Sequence, residues 1–279
     1  MNPIFFYVPI LNLPLNSFFI FLLISASIGL EICQIQFRFI SSSSPLFKNI
    51  IHTIHSYLYF GAIGAIIGAN WLDLLIQHLV SIHAFQKPNL SSSIWQGGFV
   101  YWGGLIGFLI FFVLYSIRAH IPCRFSMDII SLAIPICHSI GRLGCICVGC
   151  CFGNPMIKFN HLGLCYPPSS FAFESFPCHL KQISYPLFPF QHIEAISSLA
   201  ILGILLKVYQ YKSFNGQLMY VYVILYSTVR FLLEWVRGDA ERGIFFSIFS
   251  TSQLLSIFFC LFLLLLNIIS FRKNGGGGS

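Results

Sequence analysis

The sequence predicts an all-α integral membrane protein of seven transmembrane helices, with its N-terminus outside, its C-terminus cytoplasmic and one long extracytoplasmic loop. Three observations predict it. Of 279 residues, 57% are hydrophobic and only 8% charged, against roughly 25% charged in a soluble domain. The mean hydropathy is +0.82. Seven apolar runs approach the ~20 residues that a helix needs to cross a bilayer, and the positive charges gather in alternate connections between them.

In chain order the runs are Leu15–Cys33, Ile54–Val80, Ile94–Ile117, Asp128–Phe152, Gln191–Lys207, Leu218–Arg237 and Gln253–Phe271. They form one polytopic domain over residues 1–274, and residues 275–279, all Gly apart from the last Ser, read as a flexible linker. The first run has no positive charge before it, unlike a cleavable signal peptide, and is expected to be retained. One set of loops holds Arg38, Lys48, Arg118, Arg124, Lys207, Lys212, Arg272 and Lys273, and the other holds Lys87, Lys158 and Lys181. Cytoplasmic loops accumulate Lys and Arg, so eight against three sets the orientation. The formal charge of +7 therefore concerns topology and anionic headgroups, and no nucleic-acid-binding pattern is present.

The second run carries Gly61, Gly64 and Gly68, and the third Gly97, Gly98, Gly103, Gly104 and Gly107. Small residues let helix backbones approach closely in lipid. At Gly103 and Gly104 they equally let a ligand headgroup approach the backbone. The connection at about 154–189 contains six prolines, several aromatics and two cysteines. A loop of this length without periodicity is expected to be functional or mobile, either covering a lateral entrance or forming an outer cap.

Two stretches carry chemistry. The run from Ala133 to Pro155, AIPICHSIGRLGCICVGCCFGNP, buries Arg142 among apolar residues, with glycines at 141, 144, 149 and 153. A charge at the centre of a membrane helix costs about 2.5–3.5 kcal/mol or more and marks a functional site by default. In the sixth run Tyr226, Arg230, Glu234 and Arg237 are spaced by four, four and three, which puts them on one helical face. A structural Arg230–Glu234 pair with a snorkelling Arg237 is the plain reading. Arg is also the side chain best suited to bidentate phosphate recognition. Two arginines toward the outer leaflet, with Glu194 and Glu234 as acidic partners and Asp73 further off, suit a phospholipid headgroup.

With these residues in view, the chain resembles the prolipoprotein diacylglyceryl transferase family. Gly141, Arg142, Gly144, Gly149 and Gly153 follow its GRxGxxxxGxxxG pattern. GGFVYWGGLIG at 97–107 is similar to its segment ending HGGL, Gln191-His192-Ile193-Glu194 to its QLYE, and Tyr226, Arg230, Glu234 and Arg237 to its YxxxRxxxExxR. Ser252-Gln253 resembles the stretch opening its last helix. The resemblance implies a multi-pass enzyme of the bacterial cytoplasmic (inner) membrane. Such an enzyme moves diacylglycerol from phosphatidylglycerol to the lipobox cysteine of a lipoprotein precursor signal peptide and needs no cofactor or metal. It implies Arg142, Arg230 and Glu234 as catalytic residues, to which the helical face shared with Arg142 adds His138. It implies contacts to substrate by Trp102, Gly103, Gly104, Gly141, Gly144, Gly149, Gly153, Gln191, Glu194, Tyr226 and Arg237. The partners are phosphatidylglycerol, the precursor and membrane lipids.

Four positions depart from the family's pattern: Trp102 stands for its His before GGL, Cys145 for its Asn, Cys150 for its Glu, and Phe18 for the Tyr of the first helix. Without that His a base must come from elsewhere, and His138, four residues before Arg142, is the first substitute and His192 the second. Ten cysteines include Cys145, Cys147, Cys150 and Cys151, with Cys165 and Cys178 in the next loop. Disulfides, plain packing, a metal and a reactive thiol are all open for them. Beside the transferase stand two other readings, a non-catalytic phospholipid-binding relative and a cysteine-centred redox or metal-binding membrane protein.

Overall fold

The computed structural model describes residues 4–8, 13–41, 59–72, 74–75, 78, 101–118, 122–156, 160–178, 182–238, 244–245 and 249–275. Asp73, Lys87, Lys158, His179, Lys181 and Arg242 lie outside the described residues, as does the side chain of Trp102. The chain runs β1 (Ile4–Val8), β2 (Leu13–Asn16), α1 (Ser17–Ser41), α2 (Tyr59–Leu72), α3 (Tyr101–Arg118) and α4 (Cys123–Val148). It continues with α5 (Phe171–Ser175), β3 (Pro177–Cys178), β4 (Ile183–Ser184), α6 (Phe190–Gln210), α7 (Gln217–Leu233), β5 (Ile244–Phe245), β6 (Phe249–Ser250) and α8 (Thr251–Gly275). The protein is mostly helical, and α4, α6 and the α7 segment through Val236 are long and apolar enough to cross a membrane. Among the described residues, three two-stranded antiparallel hairpins add to the all-α expectation. Their strands have two to five residues, too few to announce themselves by periodicity.

Helix α4 is the axis of the molecule and packs against α1, α6 and α7. Against α1, the Ser25 hydroxyl donates to the Cys137 carbonyl at 2.9 Å, and Gly144 lies against Phe18 and Phe21. Between α4, α6 and α7 the core is Leu132, Ile201, Leu205, Leu218, Tyr222 and Tyr226. The outer faces stay apolar, with Ile196, Leu199 and Leu206 on α6 and Phe258 and Leu261 on α8 exposed, as lipid requires. Gly103 and Gly107 of α3 meet Gly64 and Gly68 of α2, and a methyl added at Gly68 would lie 2.8 Å from the Gly107 Cα. Close helix packing thus accounts for Gly103. Gly104 also faces α2, across Ala65 and Ala69.

The start of α1, the end of α4, the start of α6, the end of α7 and the start of α8 all lie at one end, next to the segments that form the hairpins. The segment after α4 is folded there. Helix α4 stops at Val148, short of the Phe152 boundary, because Gly149 turns left-handed at φ 73 and its N–H caps the Cys145 carbonyl. Phe152, Tyr166, Ala172 and Leu187 then form a small core. Its large apolar side chains each stabilise by about 1.5–3 kcal/mol. At the other end Asp128, on the first turns of α4, accepts from the N–H groups of Gly216 (2.7 Å) and Leu218 (2.8 Å) and pairs with Lys212. It caps the N-terminus of α7 from a neighbouring helix.

Candidate functional site

Three helices aim their polar faces at one point. Helix α4 carries His138, Arg142 and Cys145 at i, i+4 and i+7. Helix α6 carries Gln191 and Glu194 in its first turns, and α7 carries Tyr226 and Arg230. The chain then tightens into a 3₁₀ turn, Glu234–Val236, which delivers Glu234 and leaves Arg237 beyond it. All of these except Arg237 are buried.

Glu194 is the hub. Its Oε1 accepts from Arg142 Nη2 at 2.7 Å and lies 3.2 Å from His138 Nε2 and 3.6 Å from Arg230 Nη1. Its Oε2 is buried with no hydrogen-bond partner among the described residues. Arg230 is held further by Glu234 Oε2 at 2.8 Å and by the Ser252 hydroxyl at 3.2 Å. Arg237 Nη1 reaches the same Glu234 oxygen at 3.8 Å. Phe190 lies under both Arg230 and Arg237, at 5.7 and 6.0 Å from ring centre to guanidinium carbon. Three guanidinium groups against two carboxylates leave one positive charge in a low-dielectric setting.

His138 Nε2 has two alternative bonds. In the neutral ring it accepts from Arg142 Nε at 3.1 Å, and in the protonated ring it donates to Glu194 Oε1 at 3.2 Å. A proton can therefore arrive at Nε2 with little movement. The Tyr226 ring packs on His138 at 5.2 Å.

A second layer fixes the rim. Gln191 donates to the Cys150 carbonyl at 2.8 Å and accepts from the Tyr166 hydroxyl at 3.0 Å. Tyr166 is fully buried, and burial pushes its phenol up to about 12, with the Gln191 bond acting in the opposite direction. Gly153 bridges to Arg237, with Asn154 N–H donating to the Val236 carbonyl and Gly238 N–H to that of Phe152, both at 2.9 Å. A Cβ at Gly153 would lie 2.5 Å from the Phe188 carbonyl oxygen, so glycine is required for this approach.

The structure thus brings together His138, Arg142, Gln191, Glu194, Tyr226, Arg230, Glu234 and Arg237. Gly141 is open, with nothing within 4 Å of an added side chain, whereas Gly144 packs on α1 and Gly103 and Gly104 on α2. Gly149 and Gly153 shape the loop. The Nδ1 of His192 is buried with no hydrogen-bond partner among the described residues. Sequence reasoning did not single out Tyr166, which nothing distinguishes among the loop's aromatics, or Phe190, whose position under two arginines only the start of α6 reveals. All ten cysteines are free thiols.

A family model described as prolipoprotein diacylglyceryl transferase matches residues 3–269. The chain is similar to the phosphatidylglycerol–prolipoprotein diacylglyceryl transferase of Clostridium tetani, 29% identical over 216 residues, which is 77% of this chain and 80% of the relative. It is 30% identical to transferase 2 of Clostridium perfringens over 195 residues, 68% and 71% of the two chains. The same description applies to a Wolbachia relative from Brugia malayi, 30% identical over 200 residues, 71% and 72% of the two chains.

Proposed function

The chain belongs to the prolipoprotein diacylglyceryl transferase family, and from that premise we propose how its buried arginine cluster carries out the reaction. The protein is a membrane transferase that moves diacylglycerol from phosphatidylglycerol to a prolipoprotein. The acceptor is the lipobox cysteine thiol of the precursor's signal peptide, and glycerol phosphate is released. The chain is one polytopic domain of the bacterial cytoplasmic membrane over residues 1–274. It has seven crossings, N-terminus outside, C-terminus inside and the 154–189 segment on the outer side.

One observation carries the reading: Arg142 and Arg230, from separate helices, converge within 4 Å of one oxygen of Glu194. Glu194 holds the two guanidinium groups beside one oxygen, so that both can reach one phosphate. The open space at Gly141 gives the glyceryl portion an approach beside Arg142. Arg237 and Phe190 close the outer side.

Charge then balances through the step. The cluster's excess of one positive charge is met by the phosphodiester's single negative charge. The lipobox sulfur attacks the glyceryl carbon, an S–C bond forms, and the C–O bond to phosphate breaks. The leaving phosphate monoester gains a second negative charge, near −2 at neutral pH. The thiol proton passes to His138 Nε2, and the resulting imidazolium is held by Glu194 Oε1. The added positive charge on the ring offsets the added negative charge on the leaving group. Arg142 and Arg230 stabilise that developing charge in a site shielded from water.

The test uses purified protein in phosphatidylglycerol-containing detergent micelles with a lipobox peptide. The wild type is expected to yield diacylglyceryl-peptide and glycerol phosphate in equal amounts. Arg142→Ala and Arg230→Ala are each expected to lower turnover by about 10²–10³-fold, the usual effect of removing an electrostatic donor. Absence of transfer by the wild type, or unaltered transfer by both variants, overturns the reading. His138→Ala with normal expression and normal turnover removes His138 from it.

A further inference from the structure

The last turn of α4 and the two residues beyond its cap gather three thiols that the transfer reaction does not use. The sulfur atoms of Cys145, Cys150 and Cys151 all lie within 4.8 Å of one another. The backbone is bent to achieve this. Gly149 and Cys150 both donate to the Cys145 carbonyl, at 2.8 and 3.2 Å, and Gly149 takes φ 73. Cys151 follows at φ 53, a left-handed conformation that is unfavourable for a non-glycine residue. Such strain persists where the surroundings impose it, and it clusters at functional sites. Cys147, projecting from the helix between them, takes no part.

We propose that Cys145, Cys150 and Cys151 form a trithiolate site for one thiophilic divalent d¹⁰ cation, of the zinc class. A Zn–S bond of about 2.3 Å places sulfurs about 3.8–4.0 Å apart in tetrahedral or trigonal geometry, so the trio closes on an ion with small rotations of its side chains. Three ligands from one short stretch leave a further position open, as in zinc sites that retain a labile ligand. Soft thiolates favour such ions over hard cations.

Charge and outer contacts support the divalent ion. Binding follows M²⁺ + 3 RSH → M(SR)₃⁻ + 3 H⁺, and the product's single negative charge lies beside the guanidinium groups of Arg142 and Arg237. Two arginines already point at the sulfurs: Arg142 Nη1 donates to Cys145 Sγ and Arg237 Nη2 to Cys151 Sγ, both at 3.9 Å. Gln191 fixes the Cys150 carbonyl at 2.8 Å, an outer contact that orients a ligand residue. A monovalent ion on three thiolates would leave two negative charges instead of one, which burial makes costlier.

The experiment titrates reduced, detergent-solubilised full-length protein with Zn²⁺, Cd²⁺ and Co²⁺. The expected result is one equivalent bound, thiolate-to-metal charge-transfer absorption with Cd²⁺ and Co²⁺, and three protons released per ion. In the wild type, Zn²⁺ is expected to protect three of the ten thiols from maleimide, identified by peptide mass as Cys145, Cys150 and Cys151. Cys145→Ser, Cys150→Ser and Cys151→Ser should each weaken binding at least about tenfold, and Cys147→Ser should not. No uptake, protection of a different set of thiols, or a disulfide within the trio in protein kept under reductant would overturn the proposal. The protection assay needs no variant, so a misfolded mutant leaves it decisive. Because these readouts do not depend on lipid transfer, a failed metal site and a failed transferase reading are told apart.

Discussion

At the scale of single residues, Glu194 organises the site more than either arginine does. Its Oε1 serves three partners, Arg142, His138 and Arg230, in a position only 1% exposed. Removing one member of a buried ion cluster leaves uncompensated charge and costs about 3–5 kcal/mol. Glu194→Ala is therefore expected to lower the thermal midpoint by roughly 2–4 °C for each kcal/mol lost, measured by intrinsic fluorescence in detergent. Added inorganic phosphate should restore part of that stability if the arginines accept an anion in place of the carboxylate. A midpoint equal to the wild type's would contradict the hub assignment. Much at this scale was legible in the sequence, since charged residues in apolar runs are rare enough to stand out. Arg142, Arg230, Glu194 and Glu234 were all legible that way. The sharing of one oxygen was not, because it depends on the relative rotation of α4, α6 and α7.

At the scale of elements, two devices set helix ends. Ser250 and Gln253 form a capping box on α8: Gln253 Oε1 accepts from Ser250 N–H at 3.0 Å, and the Ser250 hydroxyl from Gln253 N–H at 3.3 Å. That box also presents Ser252 to Arg230. The start of α7 has no such local cap, since Gly216 stands there, and Asp128 supplies it from α4. Asp128→Ala leaves buried N–H groups and Lys212 without their acceptor. It is expected to cost about 2–3 kcal/mol, read as a lowered midpoint with the transfer reaction's KM unchanged, because Asp128 lies at the opposite end from the arginines. Gly153→Ala is expected to do the reverse: the methyl collides with the Phe188 carbonyl, disturbs the bridge to Arg237 and lowers turnover more than stability. The capping box is visible as S-x-x-Q, whereas a cap reached from residue 128 to 216 has no local signature. The cysteine cluster was legible in the sequence, with a metal among its open readings, but the grouping of Cys145, Cys150 and Cys151 without Cys147 was not, for a related reason. A continued helix would have splayed the thiols, and only the left-handed turn at Gly149 folds the last two back onto the first.

At the scale of the whole molecule, the two ends differ in chemistry. One end holds the hairpins, the folded loop segment and the arginine cluster. The other holds Arg118, Arg124, Lys207 and Lys212, cations that are not drawn into that cluster. Such a gradient orients a polytopic chain, because cytoplasmic loops retain Lys and Arg. The proposed topology puts the end that holds the arginine cluster on the outer side. In that proposed orientation the end bearing Tyr166 and the 153–237 bridge would face the side where a translocated signal peptide presents its thiol. A reporter active only outside the membrane, inserted after Leu162 in the exposed part of the loop, should be active. A reporter that fluoresces only in the cytoplasm, fused after residue 279, should fluoresce. The opposite pair of signals would invert the orientation and place the arginines on the side away from the acceptor. An active reporter after Leu162 together with a dark C-terminal fusion would mean an even number of crossings between the two points and break the seven-span reading itself. The outcome bears on catalysis as well as topology, since the thiol and the lipid phosphate must reach the Arg142–Arg230 cluster from the same side of the bilayer.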